Sequence, residues 1–244
     1  MTDHTIRGKK VFEDEIEALR AIAARLDETF CQAVEALRKA IDSGHKIIVV
    51  GVGKSGIIGE KIAATLTSTG APAIVLDSMN ALHGDLGIVQ DGDACIAMSF
   101  SGETAELLTL MPFLKRYEMT IIGMTGKPGS TLAQLSDVVL NTAVDREACP
   151  LNLAPTSSST AMLVMGDALA MALLEARHFT KEDFARSHPG GSLGRALLTR
   201  ISDIMRREFA CLPETATVAQ CIIAMTAARA GACVLAQYDR TPAG

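Results

Sequence analysis

Apolar and polar positions along the chain follow two spacings in turn. Ile16, Leu19, Ile22, Leu26, Phe30, Ala33 and Leu37 recur at helical intervals and predict a helix over 9–42, stopped at Gly44. A β-branched run, 46–50, then ends in glycines and reads as a buried parallel strand. The alternation repeats: helix 55–69, strand 73–77, strand 94–99, helix 104–117, strand 120–124, a short helix near 130–135 and strand 137–140. Five strands mostly separated by helices predict an α/β fold, a doubly wound parallel sheet. A long helix over 156–177 closes this region. A shorter one starts near Thr180 and breaks at Pro189-Gly190-Gly191.

Near residue 200 the pattern changes to a turn at 201–205, a helix at 215–228 and a strand at 232–235. The chain therefore reads as a main domain, 1–200, and a segment, 201–244, too short for a core of its own.

Composition narrows the function classes. With 23 basic and 28 acidic residues the net charge is −5, so a broad nucleic-acid-binding field is not expected. Aromatic residues make up 4% and Trp is absent, which leaves little for base stacking. The start, Met1-Thr2-Asp3-His4, lacks the basic-then-apolar pattern of a signal peptide. Apolar runs are strand-sized or interrupted, and Asp167 breaks the apolar stretch 161–176, which reads as a buried core helix rather than a membrane span. Cysteines at 31, 95, 149, 211, 221 and 233 form no CxxC pair and read as reduced structural thiols. The expectation is a soluble cytoplasmic enzyme or regulator without nucleic-acid or membrane partners.

Three loops carry candidate chemistry. Gly51-Val52-Gly53-Lys54-Ser55-Gly56 fits GxGxxG between a strand and a helix, where glycines admit an anion to free backbone N–H groups. With Asp77 placed to hold a ribose, the motif also admits a nicotinamide enzyme. Ser99-Phe100-Ser101-Gly102-Glu103-Thr104 gathers three hydroxyls at a helix start, more than N-capping alone requires. The third, Ala154–Thr160, opens the long helix with a polar run that includes Ser157, and suggests a polar ligand or a cap. Two hydroxyl-rich cradles suit a sugar phosphate better than a dinucleotide.

Among acid–base groups, His83 and His188 lie in Gly- or Pro-flanked loops, where function concentrates. Glu147 stands just beyond the fifth strand, and Glu106 one turn into the helix after the serine loop, where an ordinary solvated charge is the simpler reading.

Together, Gly51–Gly56, HGDLG at 83–87, Ser99–Thr104, EACPLNLAPTSSST at 147–160 and SHPGGSLGR at 187–195 resemble the sugar isomerase (SIS) fold, and more narrowly the arabinose-5-phosphate isomerases. The resemblance covers about 10–200. It implies interconversion of D-ribulose 5-phosphate and D-arabinose 5-phosphate, the precursor of 3-deoxy-D-manno-octulosonate, by a homotetramer that requires no cofactor. It places catalysis on Lys54, Glu106, Glu147 and His188. Substrate contacts fall on Ser55, Gly70, Ala71, His83, Ser99, Ser101 and Thr104, with Ser157 in the third loop. Zinc inhibits several such enzymes, and some carry a metal-binding His where this chain has Asp77. The 201–244 segment resembles the start of a cystathionine-β-synthase (CBS) domain.

The implied reaction moves a proton between neighbouring carbons through an enediolate. Glu147 is the first candidate for the base, a competent one if burial raises its pKa toward working pH, and Glu106 the alternative. Lys54 would stabilise developing charge or bind phosphate, and His188 would shuttle protons in ring opening. A different phosphosugar or a non-catalytic sugar-phosphate sensor are the rival readings.

Overall fold

The computed structural model describes residues 4–207 and 209–236. The expected single helix over 9–42 is two helices, α1 (His4–Ala23) and α2 (Glu28–Asp42). The break has a local cause. Asp27 leaves helical geometry, and its carboxylate accepts from the Thr29 N–H at 2.9 Å, a strong N-cap that starts α2 afresh.

The remaining elements of this unit follow the predicted alternation with ends shifted by a few residues. They are β1 (Ile47–Gly51), α3 (Lys54–Ser68), β2 (Ala73–Val75), α4 (Ser78–Ala81), β3 (Ala94–Met98), α5 (Ala105–Leu114), β4 (Thr120–Thr125), α6 (Thr131–Leu135), β5 (Val138–Asn141), α7 (Ser157–Ala176) and α8 (Lys181–Ser187). All five strands are parallel, in the order β2-β1-β3-β4-β5.

Successive side chains of a strand point to opposite faces, and the central strands are buried on both. Ile47, Val49, Ile96, Met98 and Ile122 pack with Ile62 and Leu66 of α3 and Met162, Leu169 and Leu173 of α7. Ile48, Val50, Cys95, Ala97 and Ile121 pack on the other face with Leu107, Leu110, Met111 and Leu114 of α5. Helix α7 is long and apolar enough to cross a membrane, but half of that stretch is buried within the fold, as expected of a core helix. Among the cysteines, Cys95 is fully buried, and burial pushes its thiol up to about 12. Cys31 and Cys211 are exposed, so they are not core thiols.

The strand order sets the position of the site. From β1 the chain crosses to β2 on one side, then returns to β3 on the other. Loops leaving the carboxyl ends of β1 and β3 therefore part, and a crevice opens between them.

A second compact unit begins at Ser192, earlier than the boundary at 200 expected from the sequence. Its described elements are α9 (Ser192–Leu198), α10 (Ile201–Ile204), β6 (Ala210–Pro213), α11 (Val218–Ala227) and β7 (Cys233–Ala236), with β6 and β7 paired in parallel. Val218, Ile222 and Ile223 of α11 are exposed. The rest of the expected 201–244 segment, 237–244, lies outside the described residues, as do residues 1–3, on which the reading of the chain start partly rested.

Candidate functional site

Two helices open at the crevice. Helix α3 follows β1 through Gly51-Val52-Gly53. A Cβ on Gly51 would lie 2.8 Å from the Ser55 carbonyl, and Gly53 takes a φ of +59°, so this turn closes only with glycine. Helix α5 follows β3 through the serine loop. The N-caps of these helices, Gly53 and Thr104, make no side-chain capping hydrogen bond, which leaves their opening amides and positive dipole ends available to an anion. Helices α2, α4, α6 and α8, by contrast, are capped by Asp27, Asp77, Ser130 and Thr180. Asp77, the residue a dinucleotide reading needs for a ribose, spends one carboxylate oxygen on the Met79 and Asn80 amides at 3.0 and 2.8 Å.

The three hydroxyls of the serine loop converge. Ser99 Oγ lies 2.8 Å from Thr104 Oγ1 and 3.4 Å from Ser101 Oγ, and accepts from the Gly102 N–H at 3.0 Å. The loop is fixed from the next strand, where the Gly126 N–H donates to the Phe100 carbonyl at 3.0 Å.

A cleft of about 340 Å³ lies at the end of α3. Lys54 and Ser55 border it from α3, Phe100 from the serine loop, Lys127 from the loop after β4, Arg146 and Glu147 from the loop after β5, and Ser158 and Ser159 from α7. Lys54 and Lys127 have no ion-pair partner within 4 Å among the described residues.

Glu147 is the most constrained group in the cleft. One carboxylate oxygen accepts from the Thr156 N–H at 2.7 Å, the Thr156 hydroxyl at 3.0 Å and the Ser158 N–H at 3.2 Å, and the other accepts from the Ser158 hydroxyl. The Glu147 N–H donates in turn to Asn152 Oδ1 at 2.7 Å, with Asn152 at φ +52°, a conformation Asn tolerates. Glu147 thus caps α7 from the loop that leads into it, because the N-cap Thr156 makes no capping bond of its own. The condition that burial raise its pKa is not met. Desolvation does push the carboxyl up, but these hydrogen bonds to the charged form outweigh it, and the net position is below the ordinary carboxylate value.

The other site residues expected from the sequence divide clearly. Ser157 is buried with its hydroxyl unpartnered and does not border the cleft; its neighbours Ser158 and Ser159 do. Glu106 is exposed in the first turn of α5, outside the cleft. His83 is exposed, also outside it. Gly70 has a φ of +82° and the Phe179 ring where a side chain would go, while its carbonyl accepts from Arg177 at 2.6 Å; Ala71 is buried. His188 stacks on Phe184 with ring centroids 3.9 Å apart, and its Nδ1 lies 3.0 Å from the Phe184 carbonyl oxygen. It borders a separate depression against Ala63–Ser68, the far end of α3 from Lys54. At 1.5 Å per residue that is roughly 14 to 21 Å along the helix. Of the serine loop only Phe100 borders the cleft; Ser99, which is buried, Ser101 and Thr104 do not. Within one chain, then, Lys54, Ser55 and Glu147 meet, and His188, His83 and Glu106 stay apart from them.

Phe100, Lys127, Arg146 and Asn152 border the cleft without having stood out in the sequence. Lys127 and Arg146 have a legible signal in retrospect: each is a basic residue two to five positions past a strand end. No group of three or more His, Cys, Asp or Glu among the described residues could hold a metal.

The SIS domain family matches residues 40–172. The arabinose 5-phosphate isomerase KdsD of Pseudomonas aeruginosa is 52% identical over 191 residues, covering 78% of this chain and 58% of the relative. KdsD of Escherichia coli K12 is 47% identical over 230 residues, covering 93% and 69%. The chain spans about three fifths of the length of the curated relatives it matches. Among solved structures, a protein of Escherichia coli CFT073 in complex with arabinose 5-phosphate is 39% identical, with a TM-score of 0.72, covering 78% of this chain and all of that one. A family match over more than half the chain, on a sheet with the order and loops described above, means that this chain belongs to the SIS domain family.

Proposed function

We propose that this protein is an aldose–ketose isomerase that interconverts D-ribulose 5-phosphate and D-arabinose 5-phosphate. The observation that carries the reading is the cleft at the switch point, which joins Lys54 and Glu147 at the uncapped N-terminus of α3, in a chain 39% identical to a protein in complex with arabinose 5-phosphate. The SIS assignment supports a phosphosugar ligand, and the KdsD relatives support the choice of pentose.

In this reading the substrate phosphate sits on the amides and hydroxyls of Ser55, Ser99, Ser101 and Thr104, so that binding far from the reaction orients the reacting carbons. Glu147 takes the proton from the carbon beside the carbonyl and returns it to the neighbouring carbon. It is ionised at neutral pH, and the Ser158 and Thr156 donors fix which face of its carboxylate meets substrate. Lys54 stabilises the enediolate oxygen. His188 serves ring opening in the cleft of a neighbouring copy, since it cannot reach the cleft of its own chain; this fits a homotetramer. Glu106 has a supporting role. The second unit is the start of a CBS domain, the protein is cytoplasmic, and its product feeds 3-deoxy-D-manno-octulosonate synthesis. No cofactor takes part, and because Asp77 stands where some relatives carry a metal-binding His and is spent on capping α4, zinc inhibits this chain more weakly than it does them.

The test is incubation of the purified protein with ribulose 5-phosphate and EDTA, with the sugars followed by NMR. Arabinose 5-phosphate is the expected product. Conversion of a hexulose phosphate instead would move the assignment to another phosphosugar. Binding without turnover of any phosphosugar would make the protein a sensor.

A further inference from the structure

Helix α1 and the turn that follows it grip the loop that carries Glu147. Arg7 donates to the Ala148 carbonyl and Arg25 to the Ala143 carbonyl, while Thr160 of α7 donates to Glu15 at 3.0 Å. At the centre of this grip is Asp14. Its side chain is 5% exposed, and it pairs with Lys10 at 3.0 Å and with the Arg146 guanidinium. A carboxylate so buried is stable only when paired, so Asp14 has a strong preference for holding Arg146 in place.

Arg146 stands on a divide. It borders the cleft on one side and, on the other, a cavity of about 150 Å³ lined by Glu17, Ala18 and Ala21 of α1. A free guanidinium has room on either side. Asp14 engages one edge of the fork through Nη2, and the side chain, 57% exposed, makes no further hydrogen bond among the described residues, so its remaining N–H donors are open to a ligand in the cleft it borders. A tether for α1 alone would not need this pair, since Arg7 and Arg25 already supply two.

We propose that Arg146 is a substrate-binding residue, donating to a substrate oxygen, and that Asp14 is its positioning residue. The proposal rests on the phosphosugar reading above. R146Q is expected to raise KM for ribulose 5-phosphate roughly tenfold, with kcat within about threefold, as loss of one charge-assisted contact predicts. R146K recovers part of that loss. D14N raises KM in the same direction, and D14N/R146Q is no worse than R146Q alone. R25Q, which removes a tether without touching Arg146, lowers Tm and leaves KM unchanged. An unchanged KM in R146Q, or losses that multiply in the double variant, would overturn the proposal; D14E with its KM close to the wild type covers the case in which D14N does not fold. Hydrogen exchange at the amides of 145–148 gives a readout independent of turnover: D14N and R146Q should accelerate it equally, and no acceleration in D14N would refute the linkage. A wild-type protein that neither converts nor binds a pentose phosphate defeats the functional reading and the substrate half of the proposal together, while the exchange comparison still decides whether Asp14 acts through Arg146.

Discussion

Glu147 and Glu106 both follow strands of the same sheet, both lie near a helix start, and both are carboxylates that the family resemblance ties to catalysis. Their surroundings differ in kind. Glu106 stands exposed in the first turn of α5, where a negative charge favours the helix dipole and no other contact is needed to explain it. Glu147 comes from a loop outside any helix, borders the cleft and holds four hydrogen-bond donors from α7 and its N-cap. A proton-transfer group must be held within reach of one carbon, and only Glu147 has that restraint. The same bonds give it a structural duty as the cap of α7, so activity and stability must be measured together to separate its two roles.

The sharpest test is Glu147→Gln. The amide keeps the shape and loses the base, and turnover is expected to fall by about 10³-fold or more. Its NH₂ also faces donors, so a cost of about 1–2 kcal/mol and a fall in Tm of a few degrees accompany the change. Turnover retained alongside that Tm fall would leave Glu147 as a cap alone. Next in size is His188→Ala, expected to lower turnover by about 10²-fold. Because His188 lies at the far end of α3 from Lys54, co-expressed and differently tagged E147Q and H188A chains should regain activity as mixed oligomers. Mixed oligomers no more active than either pure variant would place both residues in one cleft. Glu106→Gln is expected to change turnover by less than about tenfold, with phosphosugar affinity retained. A loss equal to that of Glu147→Gln would remove the distinction between the two carboxylates.

The contrast also marks what the sequence could convey. The strands and most helices were legible because burial on one or both faces imposes a local period: Ile47–Val50 alternates between two packed cores, and so does Ala94–Ala97. The break at Asp27 was missed because the apolar period runs on through Leu26 and Phe30, and a cap is a single polar residue set within it. Lys54, Ser55 and Glu147 were legible as motif members at strand ends. Arg146 and Lys127 carry only the weak signal of a basic residue just past a strand end, and Phe100 none, because each acquires its place only when separate loops meet at the crevice. The pKa of Glu147 is beyond the sequence for a related reason. The donors that hold its charged form belong to residues 156 and 158, and they meet the carboxylate only once the loop folds back onto the start of α7.

The smallest expected effect tests that last point. Ser158→Ala removes the hydroxyl donor from one Glu147 oxygen and leaves the Ser158 N–H and both Thr156 donors in place. In the wild type the carboxylate is favoured over its protonated form, so activity that depends on ionised Glu147 should persist below pH 4.5 and fail only as pH drops through the depressed folded-state value. Removing one donor weakens the charged form, so the acid limb of the kcat profile should move to higher pH while the plateau near neutrality changes little. The stability linkage has the same sign. A depressed folded pKa contributes stability that is present above the unfolded value and lost on acidification, so S158A should narrow the difference in Tm between neutral and acidic buffer. An acid limb that stays in place would mean that a group other than Glu147 sets it, and would reopen the case for Glu106.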